Sequence, residues 1–413
     1  TIQDLRLKVS NVQNSTHGRI NNQHFCSRIK MKDADILLLA CKVIFWAGGG
    51  NNWYEEGVIG NERNLLYILC SFIFYSLFLF MAVMEVMAAT IESLSKDDKF
   101  YAISHGVVHL FFMFKVCIAI LKRSSIKKLI YDLIRACDSI DDVELSKKKY
   151  REIKSVCSIY FSCMYGATFM YIVRGIINTF SGHYFYILLT YYPPPSDDSQ
   201  GAKYFRVFTA FMAIFIVTSV TNVDGLVISS MVIYKNKFIL LKKYFKKLSN
   251  EYESNMSQPG CDVNAASNKL CEGLKEGVVM HIEVIRLSGE IDESLGILTA
   301  TQLFCTSFPA VFQLLQVAVS SYISLKIIHT FIILRNIQKH LYSQAATLTD
   351  SILYCGWHLC PSTVPAHRKI RALVLISSAI SQQPISMKAF KMVELTHATY
   401  IKVLLQTILH ILK

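Results

Sequence analysis

Apolar positions in this chain gather into long runs rather than amphipathic stripes. Residues 64–90 carry one charge, Glu85, and residues 207–233 carry one, Asp224. A helix of about 20 residues crosses the ~30 Å of bilayer hydrocarbon, so runs of this length predict spans rather than buried core helices. The pattern predicts seven, at residues 64–90, 100–121, 155–180, 204–233, 297–320, 324–350 and 389–412. Lys326, Arg335 and Lys339 make the sixth the least regular. Residues 36–46 are too short to cross and stop at Gly48-Gly49-Gly50, which predicts a helix lying at the membrane interface. No small-residue cleavage pattern marks a signal peptide. Between the fourth and fifth runs, the polar residues 249–268, with Pro259-Gly260, predict a flexible loop. Beyond it Leu274, Val278, His281, Val284 and Leu287 recur at three and four, which predicts a helix packed beneath the membrane.

Composition agrees with a polytopic membrane protein: 52% of 413 residues are hydrophobic, 18% are charged, and mean hydropathy is +0.35. A net charge of +13 raises nucleic acid as a partner, but the distribution argues against it. Ten basic residues lie between the second and third runs, against Lys96 and Lys99 after the first and Lys203 after the third. Lys235 to Lys247 and Arg368, Lys369 and Arg371 fall on the same side as the ten. This alternation places the amino terminus in the cytoplasm, and an odd number of spans places the carboxy terminus outside. The expected fold class is an all-α membrane protein with seven transmembrane helices and cytoplasmic helical extensions. Its orientation is the reverse of a G-protein-coupled receptor.

Chemistry-bearing motifs are sparse. Cys355, His358 and Cys360 match no zinc spacing, and twelve scattered cysteines fit reduced thiols. The Gly48 to Gly50 run lacks the Lys-Ser or Lys-Thr of a phosphate loop. His105 and His109 have no third ligand in sight, so neither a metal nor a cofactor is expected. No nucleophile, base and acid constellation stands out, and the chain does not read as an enzyme. Paired broken helices, the mark of a secondary transporter, are missing as well. Asn14 and Asn255 stand in glycosylation sequons on the expected cytoplasmic side, where they stay unmodified. Of the four ionisable residues within spans, Glu85 and Arg174 lie near outer ends, where long side chains snorkel, while Lys115 and Asp224 lie toward inner ends. A carboxylate as short as Asp224 cannot snorkel far and predicts a partner inside the bundle.

One resemblance narrows the function. The tail Gln382-Gln383-Pro384-Ile385-Ser386-Met387-Lys388-Ala389-Phe390, followed by Thr399-Tyr400-Ile401-Lys402-Val403-Leu404-Leu405-Gln406, resembles the carboxy-terminal signature of insect odorant receptors. Tyr192-Pro193-Pro194-Pro195, Asp224-Gly225-Leu226, Leu274 with His281 and Ile285, and Ile352-Leu353-Tyr354-Cys355-Gly356-Trp357 resemble further family features in the right order. Thr399-Tyr400 and Gln406 also echo the related gustatory receptors, but Lys402 and Thr407 depart from their pattern. The final residues, Thr407 to Lys413, depart from the odorant receptors' usual ending.

The resemblance implies a tuning subunit of a ligand-gated, nonselective cation channel in the plasma membrane of sensory neurons. It implies a hetero-tetramer with the odorant receptor co-receptor, and a small volatile hydrophobic odorant as ligand. Residues 1–63 are then a cytoplasmic region and 64–250 hold spans one to four with the ligand-binding region. Residues 251–296 form a cytoplasmic loop and anchor helix, and 297–413 form spans five to seven with the pore. In the outer half of spans two to four, Val107, Val108, Phe111, Tyr165, Phe169, Phe208 and Phe211 are the candidate ligand contacts, with Met164 and Met212 as adaptable neighbours. On a straight final helix, Gln406, Leu409 and Lys413 share the face expected to line the pore, with Lys402 nearer the cytoplasm.

Overall fold

The computed structural model describes residues 27–137, 140, 142–180, 189–194, 196–317, 336–382, 388–389 and 393–394. Ten helices run through them: α1 Ser27–Trp46, α2 Leu65–Ala88, α3 Lys96–Leu121, α4 Arg123–Arg135, α5 Val143–Phe180, α6 Gln200–Met256, α7 Val263–Val317, α8 336–346, α9 Leu348–Leu353 and α10 Ala366–Ser381. Among the described residues, α2, most of α3 and α6 contain stretches long and apolar enough to cross a membrane.

Local chemistry sets the starts of these helices. Asn64 Oδ1 accepts from Leu66 N at 3.0 Å ahead of α2, Ser95 Oγ from Asp98 N at 3.1 Å ahead of α3, and Ser199 Oγ from Ala202 N at 3.2 Å ahead of α6. Each cap satisfies an amide that has no partner inside its helix. Helix α1 ends at Gly48, whose φ of +80° is left-handed backbone that suits glycine, and Gly49 N returns to Ile44 O at 2.9 Å. Starting at Ser27, α1 is longer than the short interfacial helix the sequence predicts, and it packs chiefly on α6 through buried Leu37, Cys41 and Ile44. Leu39 and Trp46 remain exposed.

Helices α2, α3 and α6 share one apolar cluster: Phe78 and Met81, Met113 and Val116, and Met212, Ile216 and Val220. Helices α2 and α3 come close at Gly106, where an added Cβ would lie 2.6 Å from Val86 Cγ2 and 2.9 Å from Val86 N. Lower down, α6 and α7 form a long hairpin beside α9 and α10. Tyr234, Phe238, Leu241 and Phe245 pack with Val284, Leu287, Ile291, Ile352 and Ile370. The helix predicted beyond the polar stretch is present within α7, and Leu274, Val278, His281, Val284 and Leu287 are all buried.

Two expectations need correction. The loop predicted at 249–268 is mostly helix, since α6 continues to Met256 and α7 resumes at Val263. Its polar residues solvate one side of a hairpin whose other side is packed: Tyr252 is buried and its hydroxyl lies 3.2 Å from Ser267 Oγ. The break is confined to residues 257–262, where Gly260 has φ +79°. The seventh span, expected at 389–412, lies almost wholly outside the described residues. What is described there is extended: Lys388–Ala389 (β1) pairs antiparallel with Val393–Glu394 (β2), Lys388 opposite Glu394. Opposite charges across neighbouring strands favour such pairing, and a helix beginning at Ala389 is excluded.

Candidate functional site

Four helices converge on a buried polar junction. Lys115 of α3 donates through Nζ to Asp224 Oδ1 of α6 and to Gln302 Oε1 of α7. Tyr160 of α5 donates its hydroxyl to Asp224 Oδ2 at 2.5 Å. Relative exposures are 0% for Lys115 and Tyr160, 4% for Asp224 and 7% for Gln302, so water does not screen the pair. A buried ion pair is weak evidence of net stabilisation, but removing one partner leaves a bare charge and costs about 3–5 kcal/mol. The junction is therefore hard to break once made. A cavity of about 10 Å³ adjoins it, lined by Tyr160, Asp224, Val227, Ile228, Leu298, Thr299 and Gln302. That volume is about the size of one water molecule and far below an odorant's, so the junction is not itself a pocket for volatiles.

The partner predicted for Asp224 is thus Lys115, the other ionisable residue expected near an inner helix end. Tyr160 and Gln302 escaped the sequence reading, since an uncharged polar residue in an apolar run gives no signal until its depth is known. Glu85 corrects another expectation. It does not snorkel to the surface: 1% exposed, its Oε2 lies 2.6 Å from His109 Nδ1 across the α2–α3 interface. The side chain of Arg174 lies outside the described residues.

Because its members touch, the junction marks a common depth on α3, α5 and α6, and helical rise converts position into distance from it. On α3, Phe111, Val108 and Val107 lie about 6, 10 and 12 Å from it towards Lys96; on α5, Tyr165 and Phe169 lie about 8 and 14 Å from it towards Phe180. These five share a layer. Phe211 and Phe208 lie about 20 and 24 Å from it along α6 towards Gln200, one to two turns beyond that layer. The α6 residues at the matching depth are 215–220. Val107, Val108 and Phe111 are half-buried, Tyr165 and Phe208 are 38% and 42% exposed, and Phe169 and Phe211 are 64% and 67% exposed. Met212 is buried in the α2–α3–α6 cluster, and Met164 packs against the main core. Gln406, Leu409, Lys413 and Lys402 lie outside the described residues. Among the described residues no group of three His, Cys, Asp or Glu side chains is placed to hold a metal.

A family described as 7tm Odorant receptor matches residues 100–407, about three quarters of the sequence. The chain belongs to the odorant receptor family. Solved structures of the same fold include the insect olfactory receptor OR5 from Machilis hrabei in complex with eugenol, with a TM-score of 0.72 at 11% identity. That alignment covers 93% of this chain and 99% of the other. A second structure of the insect olfactory receptor OR5 from Machilis hrabei gives a TM-score of 0.69 at 12% identity, covering 91% of this chain and 97% of the other. No curated protein matches the chain. At these identities the structural likeness establishes the fold, while membership in the odorant receptor family rests on the family match. Olfactory reception by a membrane protein follows from that membership.

Proposed function

We propose that this odorant receptor is the tuning subunit of a ligand-gated, nonselective cation channel, working with the family's co-receptor in a hetero-tetramer at the plasma membrane of sensory neurons. The observation that carries the reading is the family match over residues 100–407. Likeness of fold to a receptor solved with eugenol, a small aromatic volatile, supports it. The ligand is a small, mainly apolar volatile enclosed in the outer half of the membrane. Its contacts are drawn from Val107, Val108, Phe111, Tyr165 and Phe169, with Phe208 and Phe211 nearer the outer mouth. Aromatic faces and branched aliphatics bind such a ligand through apolar area and dispersion, which suits a volatile with few polar groups.

Binding acts by preferring one of two arrangements of the helices, and the open fraction rises by the ratio of the ligand's affinities for them. Cations then pass along a final helix on which Gln406, Leu409 and Lys413 face the pore. Leu409 closes a dewetted constriction, and Gln406 hydrates an ion beyond it.

Recording from cells that express the chain with and without the co-receptor, against an odorant panel, tests the proposal. The pair should give odorant-evoked, nonselective cation current that persists when G-protein signalling is blocked, and the chain alone should give little. Robust current from the chain alone would favour a homomeric channel of the gustatory kind. Evoked responses abolished by the G-protein block would refute a channel.

A further inference from the structure

We propose that Lys115, Asp224, Tyr160 and Gln302 form a pin that keeps α3, α5, α6 and α7 together at one depth through channel opening, so that ligand-driven motion occurs about this point. The inference rests on the channel reading above. Two arrangements are open to a buried polar junction between moving helices. It can be a latch that breaks when the channel opens, or a fixed point that survives.

Magnitudes decide between them. Allosteric ligands bias a two-state equilibrium by a factor of about 5 to 150. Leaving one member of a buried ion pair without the other disfavours that state by a factor of roughly 150 to several thousand. Ligand binding is the smaller effect, and full dissolution of the junction would also break the bonds of the Tyr160 hydroxyl and the Gln302 amide. Each residue sits on a different helix, so the junction fixes four elements with three hydrogen bonds. Three of those helices, α3, α5 and α6, carry the candidate ligand contacts outward of it. The fourth, α7, continues from it down into the cytoplasmic hairpin. Among the described residues, ties in the layer outward of the junction run to α2, from Glu85 to His109 of α3 at 2.6 Å and from Phe74 to Phe215 of α6 at 4.2 Å between ring centroids, while Tyr165 and Phe169 of α5 are partly exposed. We place the ligand-driven motion in that layer, where the exposed face of α5 can shift against the α2–α3–α6 cluster.

A covalent tie distinguishes pin from latch. Cys157 of α5 lies with its Sγ 3.5 Å from Ser229 Oγ of α6, about one turn below the junction. Ser229→Cys should therefore form a disulfide with Cys157 under mild oxidation, detectable as a linked peptide by mass spectrometry. With a pin, the tied receptor co-expressed with the co-receptor keeps its odorant-evoked current and half-maximal concentration within about two-fold, before and after reduction. Loss of current on oxidation, restored by reductant, would show that α5 and α6 part on opening and overturn the proposal. So would failure of the disulfide to form, because the helices would not sit as the junction requires.

Removing the charges provides the second arm. Asp224→Leu alone leaves Lys115 bare and should lower surface receptor at least ten-fold. Adding Lys115→Met should return it to within about three-fold of wild type, while evoked current per surface receptor stays at least five-fold down, because the helices now slip. Wild-type current per surface receptor in the double variant would assign the four residues to folding alone and overturn the positioning role. Should the double variant stay inside the cell, the disulfide arm decides. Silence of the wild-type pair would count against the channel reading, whereas disulfide formation and surface rescue still report on the pin.

Discussion

Tyr160→Phe isolates one bond of the junction at almost no cost in shape. The ring is fully buried, and removing its hydroxyl opens a space too small to matter for packing, so the change is the 2.5 Å bond to Asp224. Hydrogen bonds to charged groups contribute about 1.5–3 kcal/mol, and the acceptor left behind here is buried. Lys115 still neutralises Asp224, which keeps the loss within that range and below the cost of deleting a charge. Against a total stability on the order of 5–15 kcal/mol, this is a large fraction that still leaves a folded protein. Heating the detergent-solubilised complex and following its monodisperse fraction should show a melting midpoint a few degrees below wild type. Tyr204→Phe, on the outer part of α6 and 74% exposed, should leave the midpoint unchanged. A Tyr160→Phe midpoint within one degree of wild type would mean that the hydroxyl contributes nothing to the junction and that Asp224 is held by Lys115 alone.

Four further outcomes follow from the same architecture. A tag ahead of Thr1 should be accessible to antibody only after permeabilisation and one after Lys413 without it; the opposite pattern would remove the odorant receptor topology. Tyr165→Ala should raise the half-maximal odorant concentration about five-fold or more at unchanged surface level, the loss of roughly 1 kcal/mol of apolar contact, and Phe211→Ala should shift it less; equal shifts would refute the depth assignment. Buried His281 is held neutral, its pKa lowered to about 4 by burial. Because the unfolded state takes up the proton first, its contribution is constant above pH 6.5 and stability falls as pH drops from 6.5 towards 4. His281→Asn should flatten that part of the melting-midpoint profile, and an unchanged profile would assign the acid sensitivity elsewhere. Gln406→Glu should alter cation permeability ratios or divalent block with little change in odorant potency; altered potency with untouched permeation would place residue 406 off the pore.

How much of this was legible beforehand depended on whether a signal was local. The spans beginning at Leu65, Phe100 and Tyr204 announce themselves through composition, and the buried face from Leu274 to Leu287 through spacing. Residues 249–268 misled because polarity marks solvent on one side of a helix as readily as a loop, and the apolar contacts of Leu248 and Tyr252 with Ala266 and Leu270 are distant in sequence. Asp224 advertised a need for a partner through its charge. Tyr160 and Gln302 advertised nothing, because the hydrogen bonds that give them meaning come from other helices. Phe208 and Phe211 stand among the candidate ligand contacts for their place in the outer half of the fourth span, a depth counted along one helix alone. Only a cross-helix bond such as Lys115 to Asp224 supplies the common reference.

The turn between α6 and α7 has a practical consequence. Residues 257–262 close the hairpin, and an added side chain at Gly260 would meet nothing within 4 Å. One residue inserted within either helix would rotate everything beyond it by about 100° and break the packed seam. The same residue added to the turn would cost only a little closure entropy. Reporter peptides or fluorescent modules belong there, and length differences between related receptors should collect at this tip, leaving the seam from Leu248 to Leu274 in register.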